Sequence, residues 1–116
     1  CSGCSSFHEG VDFTPGAGTP IGAIALGVVS LVRSDRGGLG EHVVVDHVIN
    51  GQKVQSVYAH MQAGTIIVSV GETVQVGQIL GFVGSTGAST GAHLHLEIHI
   101  NGVPVDPFAW LKANAN

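Results

Sequence analysis

Apolar positions in this chain recur mostly at every second residue, in short runs broken by glycine or by Asn-Gly pairs. Leu94, Leu96, Ile98 and Ile100 alternate with His95, Glu97 and His99, which is the period of a strand with one face in a core. Residues 43–49 and 54–60 flank Asn50-Gly51; a tight hairpin is expected there, because both turn positions need positive φ. Residues 21–33 are rich in Val, Ile and Ala and are interrupted by Gly27; they predict one or two strands that bend at the glycine. Further short strands are expected at 66–70, 73–76 and 79–83, with a turn at Asn101-Gly102. Residues 1–7 and the glycine-rich segment 34–40 read as loops. Residues 107–113 predict a helical turn or short helix, with 111–116 as a C-terminal tail of which 113–116 is expected to fray. The expected fold is mainly β: residues 1–116 form a single domain of antiparallel sheets folded over one another, with a groove on the outside.

Composition narrows the function classes. With 116 residues the chain suffices for one compact domain. Hydrophobic residues reach 44%, charged residues only 10%, and glycines number 18, which favours a turn-rich domain with a core over disorder. The net charge of −4 gives no reason to expect nucleic-acid binding. No apolar run approaches the ~20 residues that span a bilayer, and no signal-peptide pattern is visible. The start at Cys1 suggests a processed product or a domain cut from a longer protein. Cys1 and Cys4 form a single CxxC without a second pair, a poor structural zinc site. A small local disulfide is expected instead, on the assumption of an extracellular location.

The chemistry-bearing residues are histidines and one aspartate. His93 and His95 are two apart in a strand pattern, so they project to one face. His8 and Asp12 are four apart, with Gly10 and Val11 between them disfavouring helix. In an extended segment that even spacing also gives one face, with room at Gly10 for an ion. His8, Asp12 and His95 would make a two-histidine, one-carboxylate set, which suits one zinc ion with an open fourth position.

The order of these motifs carries a family resemblance. HxxxD from His8 to Asp12, the segment Tyr58-Ala59-His60-Met61, and Gly91-Ala92-His93-Leu94-His95-Leu96-Glu97 together resemble the LytM/lysostaphin-type zinc endopeptidases, peptidase family M23. The connecting pieces match as well. Gly18-Thr19-Pro20-Ile21-Gly22-Ala23, the run from Val70 to Gly81, Gly84-Ser85-Thr86-Gly87 and Val105-Asp106-Pro107 are similar to that family's turns. The likeness extends from Phe7 to Trp110. It departs at His42, where many members carry Asn or Tyr, at Met61 and Ala92, which replace Leu and Pro, and in the short segment before His8.

The resemblance implies a zinc-dependent endopeptidase that hydrolyses peptide bonds in bacterial peptidoglycan. It assigns His8, Asp12 and His95 to the metal, and His60 and His93 to catalysis. Which of the latter two is the general base stays open, since environment decides. His42, Ser89 and Thr90 are candidates for substrate binding. Glu97 lies roughly 7 Å along the strand from His95, so a structural or supporting role is expected for it rather than that of general base. His99 is expected at the surface, and His47 is expected to be structural or to orient a neighbour. The protein would act as a secreted monomer in the cell wall or periplasm, or with a phage. A non-catalytic LytM-like regulator or peptidoglycan-binding module is the competing reading; such members lose metal ligands. A biotinyl- or lipoyl-type carrier shares the glycine spacing of 70–81, but leaves the histidines unexplained.

Overall fold

The computed structural model describes residues 10–13, 16–34, 38–86 and 94–114. Its main sheet has seven strands. In chain order they are β1 (Gly10–Phe13), β3 (Gly27–Ser34), β4 (Glu41–Ile49), β5 (Gln52–Met61), β6 (Thr73–Val74), β8 (Leu94–Ile100) and β9 (Val103–Val105). A separate ribbon pairs β2 (Pro20–Gly22) with β7 (Ile79–Phe82), and one helix, α1 (Pro107–Asn114), follows. The main sheet runs β1-β8-β5-β4-β3-β6, every described pairing is antiparallel, and β9 continues the edge that β1 begins along β8.

The two Asn-Gly pairs form the tight turns their sequence demands. Asn50 and Gly51 stand at φ 52 and 76, and Asn101 and Gly102 at 51 and 83, the paired positive values that match strand twist in a two-residue hairpin. The second of these turns creates β9, a strand absent from the sequence-based expectation. The predicted strand over 66–70 does not form a ladder. The Ile67 N–H bonds to Leu80, the Ser69 carbonyl accepts from Glu72 in a local turn, and Gly71 just beyond bonds to Val29, so no ladder runs along it. The strand expected over 73–76 stops at Val74, where Gln75 to Gln78 closes a turn through Gly77.

The core lies between the main sheet and the β2–β7 ribbon. Val29, Val43, Val45, Tyr58, Met61 and Leu96 from the sheet meet Ile21 and Leu80 from the ribbon. The expected bend at Gly27 is instead a break over residues 23–26, and β3 begins at Gly27 itself. Space requires the glycine at that start: a Cβ there would stand 2.5 Å from the Asp46 carbonyl oxygen and 2.7 Å from His47 Nδ1. Beside it a chain of polar groups crosses the core. His47 Nδ1 donates to the Leu26 carbonyl (2.8 Å), Nε2 meets Ser56 Oγ (2.7 Å), Ser56 meets Tyr58 Oη (2.7 Å), and Tyr58 accepts the Ile24 N–H (3.0 Å). These bonds tie the 23–26 connection to the central hairpin and satisfy groups that would otherwise be costly to bury. Burial lowers the pKa of His47 against smaller opposing effects of the Leu26 bond and the Asp46 charge. Burial also pushes the Tyr58 hydroxyl up to about 12.

Candidate metal centre and its histidines

Strand β8 lies between β1 and β5, and His95 sits where all three meet. Its cross-strand partners are Asp12 on β1 and Ala59 on β5. Residues directly opposite in an antiparallel pair share a face of the sheet, so positions 12, 95 and 59 form one row. The small Ala59 leaves space beside the imidazole. Two residues on, Glu97 is buried, and its carboxylate lies between two rings of its own strand. Oε2 is 2.9 Å from His95 Nε2, and Oε1 is 2.7 Å from His99 Nε2. Burial pushes the Glu97 pKa up, but the hydrogen bonds from both rings, with their charges, outweigh it and hold the carboxyl below its ordinary value. The expected surface position of His99 is therefore corrected: its side chain is only 22% exposed and engaged with Glu97. The roughly 7 Å step between alternate residues does not keep Glu97 from His95, because the long carboxylate spans it.

His60 reaches the same place by an unusual backbone. Since Ala59 pairs with His95, position 60 of a regular strand would face away. Instead His60 has φ 59, a left-handed conformation uncommon outside glycine. The step brings its ring to 5.8 Å from that of His95, centroid to centroid, with the planes at 63°. Among the described residues three bonds hold the conformation. The His60 N–H donates to Leu39, its carbonyl accepts from Gly84, and Nδ1 donates to the Thr86 carbonyl at 2.7 Å. Such a conformation costs about 1–3 kcal/mol and persists where surroundings over-determine it. Thr86 is itself fixed: its Oγ1 donates to Met61 O (2.6 Å) and accepts the Glu41 N–H (2.9 Å). Because a carbonyl can only accept, Nδ1 of the neutral His60 ring carries the proton and Nε2 the lone pair.

The other predicted site residues are distributed as follows. His8, Ser89, Thr90, His93, Cys1 and Cys4 lie outside the described residues. Asp12 is placed by its backbone, opposite His95. His42 is buried, 4% exposed, and its Nδ1 donates to Gly40 across the turn that opens β4. His47 is structural, as expected, within the Ser56–Tyr58 chain. Among the described residues no three side chains of metal-ligating type form a cage, because the expected set includes His8. A surface hollow of about 340 Å³ is bordered by Lys53, Gln55, Asn101 and Gly102; it brings together no acid–base pair. Thr86 escaped the sequence reading. Only its place in a Gly-Ser-Thr-Gly turn ahead of the HxH strand hinted at it.

The profile of peptidase family M23 matches residues 6–107. The chain belongs to this family. Among curated relatives, the DD-carboxypeptidase/endopeptidase Mpg of Neisseria meningitidis serogroup B is 44% identical over 100 residues, which are 86% of this chain and 22% of that protein. The peptidoglycan DD-endopeptidase ShyA of Vibrio cholerae is 37% identical over 107 residues, 92% of this chain and 23% of its own. The chain thus spans about a fifth of these relatives. Among solved structures, the catalytic domain of the antimicrobial peptidase lysostaphin from Staphylococcus simulans superposes with a TM-score of 0.79 at 35% identity, covering 91% of this chain and 80% of that one. The M23 fold of antiparallel sheets is therefore this chain's fold. Among the described residues no helix is long and apolar enough to cross a membrane.

Proposed function

We propose that this M23 domain is a zinc endopeptidase that hydrolyses peptide bonds in the stem peptides or cross-bridges of bacterial peptidoglycan. The observation that carries the proposal is the approach of the His60 ring to that of His95, 5.8 Å apart, with His95 paired to Asp12 across the sheet. The donor set fits zinc. In the described part a strand-mounted imidazole, its Nε2 engaged by a carboxylate, sits opposite an aspartate, and His8 supplies the third ligand two residues before β1. When bound, zinc acidifies a water and polarises the scissile carbonyl. One ion per chain would be held by His8, Asp12 and His95.

The chain's own residues do the rest. The Thr86 carbonyl fixes His60 with its Nε2 lone pair directed away from that bond, and Nε2 is the atom that would take or return a proton. His93, two residues before His95 in the sequence, would share that task. The peptide would be oriented by His42, Ser89 and Thr90, with His42 acting through the turn it closes. The relatives named for peptidoglycan endopeptidase activity support the substrate class, and with it we propose a monomer that acts in the cell wall or periplasm or in association with a phage. A non-catalytic regulator is disfavoured because the sequence retains all three ligand positions and both catalytic histidines. The test is digestion of purified cell walls of differing cross-bridge type, with the released ends identified by mass spectrometry. His95→Ala is expected to lose both zinc and lysis. Full zinc occupancy in that variant would remove His95 from the ligand set.

A further inference from the structure

Glu97 and His99 lie outside the ligand set and the catalytic pair, yet Glu97 meets the His95 ring and His99 meets Glu97. Glu97 is a buried acid in the middle of a central strand. Its neighbours across the sheet are Gly10 and Val57, neither of which brings a polar side chain. The carboxylate is met from along its own strand, by His95 at 2.9 Å on one oxygen and His99 at 2.7 Å on the other. An ionised carboxylate only accepts hydrogen bonds, so each ring donates from Nε2. A neutral imidazole has one N–H. If Nε2 of His95 carries it, the lone pair that can bind a cation is on Nδ1.

We infer that Glu97 is a positioning residue that fixes the tautomer and rotation of His95 for metal binding, and that His99 braces Glu97 through its second oxygen. This inference rests on the zinc reading of the site. A carboxylate behind a ligating histidine also makes the ring a better donor. His99 keeps the carboxylate from swinging away, so a residue outside the zinc ligand set and the catalytic pair governs how well the site is preorganised.

The test is zinc affinity of the domain, measured by competition with a chromophoric chelator, alongside the melting temperature of the zinc-free form. Glu97→Gln preserves shape and removes the charge; Glu97→Ala removes the contact. Both are expected to weaken zinc binding by about 10- to 100-fold, the range for lost outer partners of a metal ligand. His99→Ala should move affinity in the same direction, and His99→Gln, whose amide N–H can still donate to Oε1, should restore it. Histidine nitrogen chemical shifts of the zinc-free Glu97→Ala variant should show His95 leaving the single Nε2–H tautomer. Glu97 variants that bind zinc within twofold of wild type, or a tautomer unchanged in Glu97→Ala, would overturn the inference alone. A wild-type domain that takes up no zinc would overturn the zinc reading together with it.

Discussion

Thr86→Val tests how the strained His60 is held. Valine has nearly the shape of threonine, so the substitution opens no cavity. It removes one hydroxyl, and with it the donor to Met61 O and the acceptor of the Glu41 N–H. Each lost bond is worth about 1 kcal/mol net, and more where the stranded group is shut off from water. Thr86 is only half-buried, so about 2 kcal/mol is the expected total. For a domain of this size that is about 4 °C of melting temperature for each kcal/mol, hence a fall of about 8 °C. Turnover should fall as well, because the carbonyl that aims His60 belongs to the same residue. Calorimetry of the zinc-loaded protein and a cell-wall solubilisation assay measure the two effects. Thr86→Ser keeps the hydroxyl and should retain most of both. A valine variant that melts within about 2 °C of wild type would refute the hydrogen-bond account. A serine variant that falls as far as valine would show that the methyl group, not the hydroxyl, does the holding.

His60→Ala should keep its zinc and lose turnover by about 10²-fold or more; zinc content by metal analysis separates this from ligand loss. Gly27→Ala should destabilise by about 3 kcal/mol, since the new Cβ meets backbone and ring atoms on β4 that cannot yield cheaply; urea titration reads it directly. Acid should destabilise the zinc-free domain partly through His47, whose pKa burial holds below the ordinary histidine value of about 6.5. The unfolded chain then binds the extra proton first, so this contribution is complete above about 6.5 and is lost as pH falls from there toward the lowered native value. His47→Gln should flatten the stability–pH curve in that window. Glu97, with its pKa lowered in the fold, gives a separate loss, from its ordinary carboxylate value downward.

The parts of this fold that depend on local chemistry were legible in the sequence. The period-two run at β8 and the Asn50-Gly51 hairpin each follow from a rule that looks only a few residues either way. The apolar run 66–70 read as a strand and misled, because a ladder needs a continuous partner and the backbone bond of Ile67 to Leu80 is not continued along the segment. Strand β9 was missed for the converse reason: three residues are too few to show a period, and β8 supplies the partner. At the site, parity correctly gave His95 and Glu97 a common face. It could not give His60, whose left-handed backbone reverses parity and is enforced by Leu39, Gly84 and Thr86, all distant in sequence or across a turn. Nor could spacing show that Glu97 reaches both of its strand neighbours, since rotamers, not Cα positions, decide that contact.

The pairing of β1 with β8 has a consequence for when activity can exist. The central strands β3, β4 and β5 pair through short connections, whereas Asp12 meets His95 only when strands from opposite ends of the fold come together. Closing so long a loop is slow and follows the local hairpins. A growing chain at the ribosome therefore carries a folded hairpin well before it carries a metal site, and a chain cut between β5 and β8 has no site at all. For a domain proposed to cut cell walls, the sheet order works as a timer: the site closes only after the central hairpins are in place.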